Sequence, residues 1–354
     1  MTDRIASPGN PIAALLFPAA DARPPAPAPV LLAPMAGVTD RPFRAMVRRF
    51  GASMMASEMI AGGTLVEGRA RTLAMIDLDG EPGPIAIQLA GRDPAVMAEA
   101  AARAVEAGAA IVDINMGCPA KKVTSGACGA ALMREPALAE TILRAVIDAA
   151  GPVPVTVKMR LGWDEGSLTA PDLAARLEQA GARLITVHGR TRAQLYRGAA
   201  DPAGIAAVRR RVRIPLIANG DVICTADARR LLMQTGADGV MVARATMGRP
   251  WLPAQIMAGL SGMDDDAVVP DTAGIWALAR DHFDLALTHY GEQKGRRVIR
   301  KHLDAYATSA GAGRIVRDAL VRTDDAGAVR DRLAALADGP VGPADLARMF
   351  GAAA

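Results

Sequence analysis

"VTVKMR" (155–160) has the length of a strand, begins apolar and ends on Lys158 and Arg160. The same design recurs on both sides of it. Before it stand "VLLAPM" (30–35), "SMMASE" (53–58), "IAIQLA" (85–90) and "IVDIN" (111–115). After it come "LITVHG" (184–189), "LIANGD" (216–221) and "GVMVAR" (239–244). Between these eight runs lie longer segments of helical spacing, among them 94–107, 136–149, 171–180 and 226–235. Such alternation predicts βα units around a parallel sheet, and eight units predict a closed (β/α)8 TIM barrel of the α/β class. An open doubly wound sheet would more usually carry a Gly-rich fingerprint at its first turn. "APMAG" (33–37) is not GxGxxG.

Polar or special residues gather at one end of the runs: Met35, Glu58, Gln88, Asn115, Lys158, Arg160, His188, Asn219 and Arg244. In a barrel those C-terminal ends converge on one mouth, where active sites are built. Polarity resuming after a strand explains one or two such positions, but not the whole set.

With 354 residues, the chain suits a barrel of about 250 residues plus a further module. An apolar fraction of 51% and a charged fraction of 22% are ordinary for a globular protein. Three cysteines without CxxC spacing argue against a disulfide framework or a zinc site, and no metal is expected. A reducing cytoplasm is the natural compartment. The net charge of +4 allows an anionic partner without naming one. "IAALLFPAA" (12–20) resembles a secretory apolar region, but Asp3 and Arg4 cancel before it, Pro8 and Pro11 precede it and Pro18 interrupts it. No apolar run reaches the roughly 18 residues of a membrane span.

The expected organisation is an Ala/Pro-rich segment over 1–29, the barrel over 30–254 and a small all-helical domain over 255–354. Residues 261–272, "SGMDDDAVVPDT", read as an acidic linker, and "GIWALARDHFDLALTHYG" (274–291) has apolar residues at helical spacing. Between 294 and 322 the tail carries Lys294, Arg296, Arg297, Arg300, Lys301, Arg314, Arg317 and Arg322 against Asp304 and Asp318. A charge run is usually a solvated helix face. At this density an RNA or phosphate-backbone surface is the sharper alternative.

At the mouth, "IANGD" (217–221) and "VARATMGRP" (242–250) end the last two strands, with Gly220 and Gly248 in their loops. In barrels these loops commonly present backbone N–H groups to a phosphate, with Gly248 expected at a short helix start. Lys158 alone would fit an ion pair in a barrel layer, and His188 alone a hydrogen-bonded core histidine. At neighbouring strand tips they read together as functional, Lys158 placing positive charge against an electron-rich ring. Cys118 follows Asn115 and Gly117 on a mouth loop, where Pro119 restricts its conformation. An ordinary thiol, with a pKa of about 8.5, is mostly protonated at neutral pH and can act as a general acid. Cys128, among glycines and alanines, reads as packing, and Cys224 as structural at a helix start.

"LAPMAGVTDRPFR" (32–44), "PIAIQLAG" (84–91), "DINMGCPAKKV" (113–123), "VKMRLGW" (157–163), "VHGRTRAQLYRGAADP" (187–202), "IPLIANGDV" (214–222) and "GADGVMVARATMGRPW" (236–251) resemble the motifs of the tRNA-dihydrouridine synthases, most nearly the bacterial B-type subgroup. The resemblance implies FMN at the barrel mouth, reduced by NADPH and reoxidised by a uridine of the tRNA D-loop. It implies FMN contacts from Pro34, Met35, Ala36, Gln88, Lys158, His188, Asn219, Gly220, Asp221, Ala243 and Arg244. It makes Cys118 the catalytic cysteine and sets Asn115, Arg160 and Arg190 near the substrate base or the flavin. In the tail, "RKHLDAY" (300–306) resembles an RNA-contacting helix, which makes Arg300, Lys301 and His302 candidates. Cys128 departs from the small residue common in the family.

The chemistry fits these residues. The C5=C6 bond of uracil is conjugated to the C4 carbonyl, so C6 accepts a hydride and C5 then needs a proton. Reduced FMN would supply the first and Cys118 the second, from the opposite face. A stacked uridine has to swing out into the pocket, and a basic tail would grip the tRNA meanwhile. Two rival readings share the barrel: an FMN oxidoreductase acting on a free pyrimidine, which leaves the tail without a task, and a non-catalytic flavin-containing RNA-binding protein.

Overall fold

In the computed structural model, which describes residues 11–16 and 28–339, nine parallel strands form one sheet. They are β1 (Val30–Leu32), β2 (Met54–Ala56), β3 (Ile60–Ala61), β4 (Ile85–Ala90), β5 (Ile111–Met116), β6 (Val155–Arg160), β7 (Ile185–His188), β8 (Leu216–Asn219) and β9 (Gly239–Val242). The ring closes because β1 pairs with β9 on one side and β2 on the other, while β2 also pairs with β4. Eight strands make the (β/α)8 barrel. The two-residue β3 is an addition beside the end of β4, with Ile60 opposite Leu89.

Successive side chains on a strand face opposite sides, and closure turns this alternation into two separate cores. Val30, Leu32, Ile87, Val112, Val157, Val187 and Val240 point outward and pack under the surrounding helices. Leu31, Met54, Ala86, Ile111, Leu184, Ile217 and Met241 form the inner cluster. That cluster fills the half of the barrel nearer the strand starts. Ile12 and Leu16 of the short helix Pro11–Leu16 join it, both buried. Burying each such side chain stabilises the fold by roughly 1.5–3 kcal/mol. Of the apolar segment 12–20, Ile12 and Leu16 thus pack with the barrel interior, and residues 17–20 lie outside the described residues.

Helix starts follow local chemistry. Asp40, Asp93 and Asp201 accept hydrogen bonds from backbone N–H groups of the turns they open, each with a proline at the first or second helical position. The helices Pro94–Glu106, Pro136–Ala150, Ala170–Gln179 and Thr225–Thr235 lie within a residue of the expected spans.

Among the described residues four helices lie beyond the barrel, Thr272–Tyr290, Glu292–Ser309, Arg314–Arg322 and Ala326–Ala337. Their apolar faces form a second cluster that takes in Met46 and Trp251 from the barrel side. The expected boundary at 254/255 would cut the helix Leu252–Leu260, whose Leu252 and Ile256 sit in the barrel's outer core. The acidic stretch after it is anchored as well, since Asp265 accepts a hydrogen bond from Thr225. Residues 1–10, 17–27 and 340–354 of the expected terminal segments lie outside the described residues.

Gly248 differs from its expected role. The short helix is Arg244–Thr246, ahead of it, and Gly248 has a left-handed φ of +71°. A Cβ there would overlap the carbonyl of Ala305 in the tail helix Glu292–Ser309. The glycine serves the close approach of barrel and tail. Gly248→Ala should therefore lower stability by about 2 kcal/mol or more, read from the urea unfolding midpoint.

Candidate active site at the barrel mouth

The inner face of the barrel changes character toward the strand ends. Gln88, Asp113, Asn115, Thr156, Lys158, Arg160, Thr186, His188 and Asn219 share the inward parity of the apolar inner cluster. Buried polar groups need partners, and these form a chain. Gln88 Nε2 donates to Asp113 Oδ2 at 2.6 Å, and Thr156 Oγ1 donates to Asp113 Oδ1 at 2.6 Å. Gln88 Oε1 accepts from Asn115 Nδ2 at 2.7 Å. Asn115 Oδ1 in turn accepts the backbone N–H of Cys118 at 2.8 Å and of Gly117 at 3.1 Å. Burial pushes the pKa of Asp113 up, while Thr156, Gln88 and the charge of Lys158 pull against it. Gln88 and Asn115 are thus engaged within the protein, each keeping one amide N–H to offer.

This chain fixes Cys118. Its carbonyl accepts from Ala130 N at 3.1 Å, and Gly129, at a φ of +61°, leaves the space that a Cβ would take from it. The thiol lies within electrostatic range of Lys158 and Arg160. Cys128 faces elsewhere: its Sγ meets the carbonyl of Gly126 at 3.2 Å. Burial raises its pKa, with Arg92 opposing. Cys224 is exposed beside Asp227, at the start of its helix.

Cations dominate the rest of the mouth. Lys158 Nζ donates to Asn219 Oδ1 at 3.2 Å, and Asn219 Nδ2 donates to the Met241 carbonyl at 2.8 Å. Burial, then Arg160, lowers the pKa of Lys158 to about 8 against Asp113 and Cys118. Burial and the surrounding cations Lys158, Arg160, Arg190 and Arg244 push His188 far below its usual value, so its imidazole is neutral. Arg190 Nη1 lies 3.2 Å from His188 Nε2. A guanidinium only donates, so Nε2 accepts and Nδ1 carries the proton. Arg190 also forks onto both oxygens of Asp221, at 2.8 and 2.7 Å. Burial works against the Asp221 charge, but the bonds from Arg190 and Ala200 prevail and its pKa is lowered.

Arg160 is 2% exposed and donates to the carbonyls of Gly117, Thr191 and Leu195, tying the cysteine loop to the loop after β7. Arg160 and Arg190 are thus held mainly by protein groups. Arg244 is exposed, stacked 4.8 Å from the ring of Tyr196, which Arg160 also approaches at 5.5 Å. Beside this centre an open cleft of about 500 Å³ runs between the loops after β6 and β7, lined by Asp164, Glu165, Thr191, Gln194 and Arg197 among others. The loop after β1 holds Pro34, Met35 and Ala36, with Ala36 exposed. Ala243 and Gly220 follow β9 and β8.

The tail candidates separate. His302 is 1% exposed, its ring 5.1 Å from Phe43 and 4.7 Å from His282, so it is an interior residue and not a surface contact. Lys301 donates to the carbonyl of Gly37 in the barrel. Arg300 pairs with Asp324 at 2.7 Å. Much of the basic run is internally paired: Arg296 with Glu292 and Asp324, Arg317 with Asp304, and Arg314 and Arg322 with Asp318. Among the described residues Lys294 and Arg297 make no ion pair, Lys294 lying instead over Tyr290. Sequence reading missed Asp113, Thr156 and Tyr196 as parts of the site. Asp113 and Thr156 were within reach, because strand parity aligns them with Asn115 and Lys158.

The strand pairing defines a (β/α)8 barrel, and the strand-end cations, amide chain and thiol gather at its C-terminal mouth, the end at which such barrels build their active sites. The chain belongs to the dihydrouridine synthase (Dus) family, which matches residues 31–338, and is an oxidoreductase of that class. It is 51% identical over 285 residues to a probable tRNA-dihydrouridine synthase of Rhodobacter capsulatus, covering 80% of this chain and 87% of that one. It is 43% identical over 296 residues to tRNA-dihydrouridine synthase B of Pseudomonas aeruginosa, covering 84% and 89%. In fold it is similar to the solved structure of TcOYE with pHBA (TM-score 0.51, 12% identity, 70% and 93% covered). A second is histamine dehydrogenase from Rhizobium sp. 4-9 (TM-score 0.53, 12% identity, 77% and 51% covered). Among the described residues no helix is long and apolar enough to cross a membrane.

The Lys158 titration has a definite sign. Below about pH 8 the lysine is charged in both states and its burial penalty is in full force. Between about 8 and the ordinary 10.5, the unfolded chain holds a proton that the folded one has released, so rising pH favours folding. At pH 7 Lys158→Met should make the purified protein, with no added ligand, more stable than wild type, by on the order of 2–3 kcal/mol. By pH 10 that advantage should shrink, as urea midpoints at the two pH values would register.

Proposed function

We propose that this chain reduces uridine in tRNA to 5,6-dihydrouridine, with FMN as the bound redox group and NADPH as its reductant. The family membership sets the reaction class, and one observation carries the assignment of roles. Cys118 is held by Asn115 beside Lys158 and Arg160, whereas Cys128 faces Gly126.

The donor set suits FMN. Arg244 and the Nδ1–H of His188 can meet a phosphate, and Asp221 is neutralised by Arg190, so it does not repel one. Lys158 offers positive charge to an electron-rich ring, and Gln88 and Asn115 each offer an amide N–H to a ring edge or a base. Pro34, Met35 and Ala36 supply an apolar rim beside these groups. When bound and reduced, FMN is a hydride donor.

The protein's own part is orientation and proton delivery. Asn115 fixes the backbone of Cys118 through two N–H bonds to one oxygen. Pro119 and the close fit of Gly129 hold the loop, so the thiol waits at a set position for the carbanionic carbon of the reduced base. Hydride addition at C6 leaves an enolate across C4 and C5; Cys118 gives its proton to C5 and is left as a thiolate. Solvent then returns the proton to Cys118. Holding a weak acid in place is worth roughly 10²–10⁴ in rate.

The tail grips the nucleic acid in this reading. Its ion pairs are mostly exposed, and such pairs are worth only about 0–1 kcal/mol each. Exchanging an aspartate for a phosphate therefore costs little, and Arg297 and Lys294 are available from the start.

Cys118→Ala should keep FMN and bind tRNA while slowing dihydrouridine formation by about a hundredfold or more. Cys128→Ala should leave the rate close to that of wild type. Dihydrouridine in tRNA treated with each purified variant, together with flavin absorbance, tests both. The reverse pattern would move the acid to Cys128, and tRNA from cells lacking the protein with no dihydrouridine missing would overturn the reaction itself.

A further inference from the structure

The loop after β1 carries three of the residues proposed to meet FMN, and the tail grips it at two points. At one, Tyr290, the last residue of the helix Thr272–Tyr290, donates its hydroxyl to Asp40 Oδ2 at 2.8 Å. The other oxygen of Asp40 accepts Phe43 N and caps the helix Arg41–Phe50. At the other point, Lys301 of the next tail helix donates to the carbonyl of Gly37, while the N–H of Gly37 goes to Glu58 at the end of β2. Both sides of one peptide unit neighbourhood are thus tied, one by the barrel and one by the tail.

Between these ties the loop has little freedom. The N–H groups of Val38 and Thr39 both donate to the Met35 carbonyl, and Met35 N donates to Thr39 Oγ1 at 2.9 Å. Ahead of the turn, Ala33 N donates to the Val242 carbonyl of β9. Pro34, Met35 and Ala36 therefore sit between an anchor on the barrel wall and an anchor on the tail. Gly37, with a φ of +74°, is the residue on which the tail's cation lands. Lys301 is spent on the loop after β1, since its Nζ donates to the Gly37 carbonyl. Its charge also faces Glu58 and Asp40, two carboxyls whose burial favours a nearby cation.

We infer that Lys301 and Tyr290 are positioning residues for the cofactor, so that the tail completes the flavin site as well as facing RNA. The inference rests on the FMN reading given above. Its thermodynamic content is reciprocal: whatever FMN gains from a loop held by the tail, docking of the tail gains from bound FMN. Loss of the tail should then appear first as loss of flavin.

The test uses full-length protein stripped of FMN and titrated with FMN by fluorescence quenching. Lys301→Met should weaken FMN about tenfold, within the range of roughly 5–150-fold typical of coupled sites. Tyr290→Phe, which removes one hydroxyl and keeps the ring, should weaken it by a smaller factor and serves if Lys301→Met unfolds. Lys301→Arg should restore most of the affinity. In wild type, adding FMN should slow hydrogen exchange over 272–309, a change that a surface lysine could not produce. Unchanged FMN affinity in both variants overturns the inference, as does weakened tRNA binding by FMN-loaded Lys301→Met with its FMN affinity intact. A wild-type protein that takes up no FMN overturns the functional reading together with this one.

Discussion

Closure of the strand ring is the constraint on which the rest of the molecule depends. Once β1 pairs with both β9 and β2, and β2 with β4, every strand has one face with nowhere to go but inward. An apolar filling at the strand starts meets that demand, and a polar filling at the strand ends can meet it only if each polar group finds a partner. The chain from Gln88 through Asp113, Thr156 and Asn115 is that solution. Its last acceptor is the oxygen that holds Cys118. A requirement of the fold thus becomes the placement of a thiol.

The same economy of partners explains the cationic mouth. Lys158, His188, Arg160 and Arg190 converge within a small volume, with Asp113 beside Lys158 and Asp221 on Arg190 to offset them. Burial responds by stripping charge where it can: His188 is neutral and Lys158 is lowered toward neutrality. The arginines cannot respond that way, so the structure surrounds them with carbonyls and with Asp221. What remains is a site with positive potential and few free donors, each in a fixed direction.

Barrel and tail are joined by more than a linker. The aromatic contact of Phe43 with His282 and His302, the glycine fit at Gly248, and the bonds at Asp40 and Gly37 all cross the junction. "RKHLDAY" looks like a uniform surface stretch, yet its three basic residues have three fates: Arg300 pairs with Asp324 within the tail, Lys301 reaches the barrel and His302 is interior. Helical spacing alone separates His302 from Arg300 by two positions and so onto different faces. It does not say which face meets the barrel.

The sequence by itself determined the eight βα units, the end of the barrel at which the polar strand-end residues gather, the family, and which cysteine stands near an asparagine and next to a proline. These follow from local rules: apolar runs of strand length, helical spacing and motifs each confined to a few residues. Strand parity puts Asp113 and Thr156 on the inward face, but only the tertiary structure decided that they bond to each other and to Gln88, that Gly248 serves the close approach of barrel and tail, and that Lys301 belongs to the loop after β1. Lys301 and Gly37 are 264 residues apart, and Tyr290 and Asp40 are 250. Periodicity fixes the face on which a side chain stands. Which other face it meets depends on how whole elements pack, and that is set by burial summed over the entire chain.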